Sequence, residues 1–188
     1  MKIHGNGDDV TMSETTIHLG TQAMEENILE QPKPRINLAH VSPKAMSAQL
    51  GMEAYVRGSS LEHSLIALVK LRASMINGCA YCVDMHTKDA RYEGETEQRL
   101  YAVSVWRETP FFSARERAAL AWTDAVTDIA RTGVPDSLYE VVRSQFSESE
   151  IVDLTMAIVT INGWNRLTVS LRAPVGDYVA GQRGATNQ

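Results

Sequence analysis

Apolar residues recur at three- and four-residue intervals through most of the chain, the period of helices with one buried face. In SSLEHSLIALVKLRASMI they fall at Leu65, Leu68, Val69 and Ile76, and Asn77-Gly78 closes the stretch. Upstream, SPKAMSAQLGMEAYV opens with Ser42 as an N-cap and Pro43 at the first helical position. Downstream, a helix is predicted from near Cys79 to near Gly94, and TEQRLYAVSVWRE predicts another with Thr96 as its cap. Pro110 breaks the pattern. Ser113 and Glu116 form a capping-box pair before RAALAWTDAVTDIA, where Trp122, Ala125, Val126 and Ile129 line one face. Gly133 and Pro135 punctuate the chain again. Ser147 and Glu150 repeat the capping box and open IVDLTMAIVTINGWNRLTVSLR, which is apolar almost all round at first. Such a helix is expected to be buried in a bundle or in a subunit contact. Strand-like alternation is rare, and VVRSQF is too short to build a sheet. The predicted fold is all-α, with roughly six to eight helices.

Outside this region the patterning fades. Residues 1 to 34 are polar with scattered glycines and a QPKP stretch, and only MEENILE hints at a helix. The expectation is a flexible N-terminal tail over 1–34, a helical domain over 35–180 and a second tail over 181–188. The 188 residues suffice for one domain with a real core. The net charge of −5, with no cluster of Lys and Arg, argues against nucleic acid or an anionic membrane surface as a partner. No apolar run approaches the ~20 residues needed to cross a bilayer. No apolar block follows the early lysine, so a cytoplasmic protein is expected.

The chemistry concentrates in NGCAYCVDMHTKDA, which holds both cysteines of the chain. Cys79, Cys82 and His86 stand at i, i+3 and i+7, one face of a helix. Asn77-Gly78 makes Cys79 a first-turn residue, where unpaired N–H groups and the helix dipole favour a thiolate. His86, one turn from Cys82, can accept that thiol's proton near neutral pH. These two arguments leave open which sulfur is the nucleophile. Thiolate is the form that attacks peroxides and disulfides, and a second thiol three residues away can close a disulfide on the oxidised one. Rival readings are a metal site and two inert buried cysteines. Zinc takes four ligands and one helix offers three here, with no second Cys-x-x-Cys or His pair in the chain. A thioredoxin-type domain needs βαβ units, which the pattern lacks. No cofactor or metal is expected.

From LVKLRASMINGCAYCVDMHTKDA through RERAALAWT to INGWNRL, about Leu38 to Tyr178, the chain resembles the carboxymuconolactone decarboxylase superfamily and its AhpD-like alkylhydroperoxidase branch. The resemblance implies an AhpD-like multihelical bundle that assembles as a homotrimer or homohexamer. It implies a hydroperoxide substrate and a thiol or dithiol-protein reductant. Cys82 would attack the peroxide, Cys79 would resolve the product as a disulfide, and His86 would belong to the proton relay. One departure stands out. The resembled enzymes carry a glutamate twelve residues before the first cysteine, and here that position is Ala67. His63, one turn earlier, is a stand-in acting through water, or else a surface histidine. Tyr81 and Met75 read as packing residues. Trp164, Asn165 and Arg166 read as an interface or as pocket lining. Two further functions stay in view: a redox-responsive regulatory or binding protein with little turnover because of Ala67, and lactone decarboxylation, which would not need the cysteine pair.

Overall fold

The computed structural model describes residues 30–181, and these contain helices and no strand. In chain order the helices are α1 (Leu38–Val41), α2 (Pro43–Arg57), α3 (His63–Ile76), α4 (Ala80–Tyr92) and α5 (Glu97–Ala102). A 3-10 helix (Val103–Glu108) follows, then α6 (Ala114–Thr127), α7 (Ile129–Thr132), α8 (Asp136–Arg143) and α9 (Glu148–Leu171). The expected tail over residues 1–29, most of MEENILE and residues 182–188 lie outside the described residues.

Helices α3 and α9 form the centre. α3 packs on α4, α6, α9 and the 3-10 helix, while α9 packs on α2, α3, α4 and α6. Between α2, α3, α6 and α9 lies an apolar cluster that includes Val56, Leu65, Val69, Trp122, Leu154 and Ile158. The opposite side of α3 buries Leu68 and Leu71 against Leu100, Val103, Trp106 and Leu120. A third, small cluster joins Ala73, Cys79, Cys82 and Ile161. α2 and α9 approach closely at Gly163, where a Cβ would come within 2.9 Å of the Gln49 side chain. Gln49 uses that space to donate to the Thr160 carbonyl at 2.9 Å.

The two capping boxes form as the sequence predicts, at the starts of α6 and α9. They are variants of one device. In both, Phe precedes the N-cap serine: Phe112-Ser113 and Phe146-Ser147. In both, an arginine lies over that ring and bonds the box glutamate: Arg99 on Phe112 and Glu116, Arg115 on Phe146 and Glu150. The Ser147 N–H and the Arg115 guanidinium drop the Glu150 carboxyl to about 2. Burial pushes Glu116 upward, but bonds from Arg99 and Ser113 outweigh it and leave that carboxyl below its ordinary value. Each box satisfies two otherwise orphaned N–H groups, which contributes about 1 kcal/mol.

The elements depart from expectation in two places. The helix predicted through AVSVWRE tightens into the 3-10 helix after Ala102, with Val105 outside helical geometry (φ −121°, ψ 28°). This turn carries Trp106 into the core. The face predicted for Trp122, Ala125, Val126 and Ile129 ends early. The first three pack inward, but the helix stops at Asp128 (φ −108°, ψ 32°) and Ile129 is 56% exposed. Helix α9 buries Ile151, Leu154, Ala157, Ile158 and Ile161 and leaves Val152 and Val159 exposed.

Candidate functional site

The site begins with the junction of α3 and α4. Asn77 caps α3, and Gly78 takes the left-handed conformation (φ 63°) that glycine adopts without a Cβ penalty. The Gly78 N–H bonds the Met75 carbonyl at 3.2 Å and the Cys79 N–H bonds the Ser74 carbonyl at 2.9 Å. This paired pattern closes a helix on a left-handed residue. The chain reverses within two residues, and Cys79 becomes the N-cap of α4. Cys79 is therefore just outside the helix and not in its first turn. Its Sγ accepts the Cys82 N–H at 3.3 Å, as a serine hydroxyl does at an ordinary cap.

Cys79 and Cys82 are joined by a disulfide, with Cα atoms 5.4 Å apart, inside the ordinary range for such a bridge. Both residues are buried. The Thr168 hydroxyl of α9 lies 3.0 Å from Cys79 Sγ and 3.4 Å from Cys82 Sγ. It also donates to the Trp164 carbonyl at 2.8 Å. A hydroxyl rotates freely, so it can accept from a thiol or donate to a thiolate without moving its oxygen.

A polar network fixes this corner to α9. Asn77 Nδ2 donates to the side-chain oxygens of Asn162 at 3.0 Å and Asn165 at 2.9 Å. Buried Asn165 donates in turn to Ser74 Oγ at 3.1 Å, and Ser74 Oγ donates to the Lys70 carbonyl at 2.7 Å. Asn162 also donates to Thr127 Oγ1 at 3.2 Å. Buried amides held this way impose one arrangement, because each broken bond leaves a group with no water to replace it.

Cys82 opens onto a cavity of about 310 Å3. His86, buried one turn further along α4, lines it too, and so does His63, the exposed first residue of α3. The cavity therefore brings together Cys82, His86, His63 and Thr168, while Cys79 is not among the residues that line it. Ala67 contributes only a methyl group to the wall. Tyr81 lines the cavity as well, and burial, followed by the charges of Asp84 and Asp89, raises its phenol above the usual value. Trp164 is cavity lining, Asn165 belongs to the network, and Arg166 bonds Asn162 at 2.8 Å. Among the described residues no group of three or more His, Cys, Asp or Glu is placed to hold a metal ion. No helix among them is long and apolar enough to cross a membrane.

Sequence reasoning misses Thr168, Glu53 and Lys70. Thr168 comes from a helix 86 residues away from Cys82, and no local spacing announces it. Glu53 and Lys70 form an ion pair at the cavity wall, where sequence shows only charged residues on amphipathic helices.

With this geometry in hand, the chain belongs to the carboxymuconolactone decarboxylase family, whose model matches residues 43–125, and within it to the AhpD-like branch. It is 42% identical to YdfG of Bacillus subtilis, an uncharacterised protein, over 73% of this chain and 93% of YdfG. ATU0492 of Agrobacterium tumefaciens, a protein of unknown function named as a candidate AhpD antioxidant defence protein, is 52% identical. Its crystal structure matches with a TM-score of 0.76 over 78% of this chain and all of that one. A peroxidase-related protein from Ralstonia eutropha, 19% identical over 86% of both chains with a TM-score of 0.67, shares the fold.

Proposed function

We propose that the chain is a peroxidase and thiol–disulfide oxidoreductase in which Cys82 reduces a hydroperoxide and Cys79 resolves the product. The observation that carries this reading is the Cys79–Cys82 bridge, whose Cys82 lines a cavity together with His86. In the reduced protein the Cys82 thiolate attacks the terminal peroxide oxygen. The O–O bond breaks, the alkoxide takes up a proton and leaves as an alcohol, and Cys82 becomes a sulfenic acid. The Cys79 thiol then attacks Cys82 Sγ, water leaves, and the bridge forms. A thiol or dithiol-protein reductant reopens it by exchange, returning two electrons and two protons. His86 relays the proton, and the Thr168 hydroxyl hydrogen-bonds whichever sulfur carries charge. His63, which lines the same cavity, stands in through water for the relay glutamate that Ala67 replaces. Reopening the bridge requires a reducing compartment, which fits a cytoplasmic protein. The reading carries with it the homotrimer or homohexamer that the family resemblance implies.

A second reading rests on Ala67. A cavity wall with a methyl group at that position suits a redox-responsive protein that oxidises once and signals. Steady-state peroxide consumption with excess dithiol separates the two. Many turnovers in the wild type and none in Cys82→Ser support the enzyme, whereas one equivalent consumed per chain supports the sensor and overturns the enzyme.

A further inference from the structure

The Glu53–Lys70 pair has no role in the chemistry above, yet it stands at its edge. Lys70 lies on α3, the helix packed directly on α4, one turn before Ser74, whose carbonyl holds the Cys79 N–H. Its side chain is 7% exposed and that of Glu53, on α2, is 19% exposed. Both line the cavity that Cys82 enters. A buried ion pair is a poor means of stabilising a fold, because desolvation offsets most of the attraction, and apolar residues of similar volume usually do as well. Such a pair at a cavity wall therefore calls for a use in the cavity.

The charges around Cys82 indicate one. Three carboxylates line the cavity: Glu53, Asp89 and Glu93. All oppose a thiolate. Asp89 accepts a hydrogen bond from Tyr178 at 2.6 Å, and Glu93 is exposed at the rim. The other basic side chains at the cavity are Arg57 and His63, both exposed to solvent, and buried His86. Lys70 is the buried ammonium. A buried cation acts on nearby charge more strongly than one in solvent.

We propose that Lys70, positioned by Glu53, is the cation that favours Cys82 as a thiolate and meets the negative charge of the departing alkoxide. This deepens the peroxidase reading and rests on it. The step itself is unchanged: Lys70 supplies charge, and the proton reaches the alkoxide through His86. Lysine beside a cysteine lowers that thiol's proton affinity, and a preformed positive charge where negative charge develops speeds the step.

The test uses reduced protein in a Cys79→Ser background, so that Cys82 alone reacts. The rate of alkylation by iodoacetamide is followed against pH, which reports the thiolate independently of any peroxide. Lys70→Met is expected to move the profile to higher pH, with alkylation about tenfold slower at neutral pH, equivalent to about one pKa unit. Lys70→Arg is expected to restore most of it. The double variant Glu53→Gln/Lys70→Met, which strands no buried charge, is expected to shift the profile in the same direction as Lys70→Met. An unchanged profile in Lys70→Met and in the double variant overturns the assignment, even if the wild type turns over peroxide. A shifted profile in a wild type that consumes no peroxide upholds the electrostatic role of Lys70 and defeats the peroxidase reading instead.

Discussion

Two buried regions meet along α9 and are built differently. The cluster between α2, α3, α6 and α9 is made of Val56, Leu65, Val69, Leu154, Ile158 and their neighbours, apolar side chains packed on one another. The cluster around Cys79 and Cys82 is small, and its surroundings are polar: Ser74, Asn77, Asn162, Asn165 and Thr168. The first contributes stability through area removed from water, about 25 cal/mol per Å2, and places no atom with special accuracy. The second contributes less burial but directs each sulfur by directional bonds. One helix serves both, with Leu154 and Ile158 toward its start and Asn165 and Thr168 toward its end.

This contrast can be broken at several points. The largest effect is expected from Cys82→Ser, which is predicted to remove peroxide turnover with dithiol, at least ~1,000-fold, while leaving thermal unfolding of the reduced protein nearly unchanged. Turnover surviving in that variant would place the chemistry elsewhere. Leu154→Ala should show the opposite profile. Residue 154 is fully buried, so the cavity left behind is expected to cost about 2–5 kcal/mol in chemical denaturation, with Cys82 alkylation unaltered in the folded protein. Asn165→Ala should do something of both. It removes the partner of Asn77 and Ser74, at about 1–3 kcal/mol, and should also change the rate at which dithiol reduces the bridge, since the α3–α4 turn loses its tether. A stability loss with no change in that rate would show that the network holds the fold but not the sulfurs.

The smallest effect lies at the start of α9, far along the chain from the cysteines. Glu150→Ala should cost about 1 kcal/mol at neutral pH. The sign of its pH dependence follows from the lowered carboxyl. Glu150 titrates near 4.5 when unfolded and near 2 when folded, so its contribution is present above about 4.5 and is lost as pH falls toward 2. The difference between wild type and variant, followed by denaturation, should therefore shrink across that window. A difference that stays constant down to pH 2 would contradict the box geometry.

The same contrast explains what was legible in the sequence. Helix periods, Gly78, the Thr96 cap and both capping boxes are local, written within four residues, and they appear where their spacing puts them, whereas Ser42 takes the N-cap position without a side-chain bond. Of the Cys79, Cys82 and His86 stripe, Cys82 and His86 share the helix and line the cavity, while Cys79 caps the helix and does not line it. Local rules fail where burial overrides them: Trp106 draws its segment into a 3-10 turn, and Asp128 ends α6 before Ile129 can join its face. Thr168, Glu53 and Lys70 were not legible as site residues, because only the packing of α2, α3, α4 and α9 brings them together. Ala67 was legible as a departure, but the charged pair beside it was not.

The most direct test of the central claim is a count of free thiols in the reduced protein before and after one equivalent of an organic hydroperoxide. The account predicts a fall from two to none, restored to two by dithiothreitol. Two free thiols after exposure to the peroxide would contradict it.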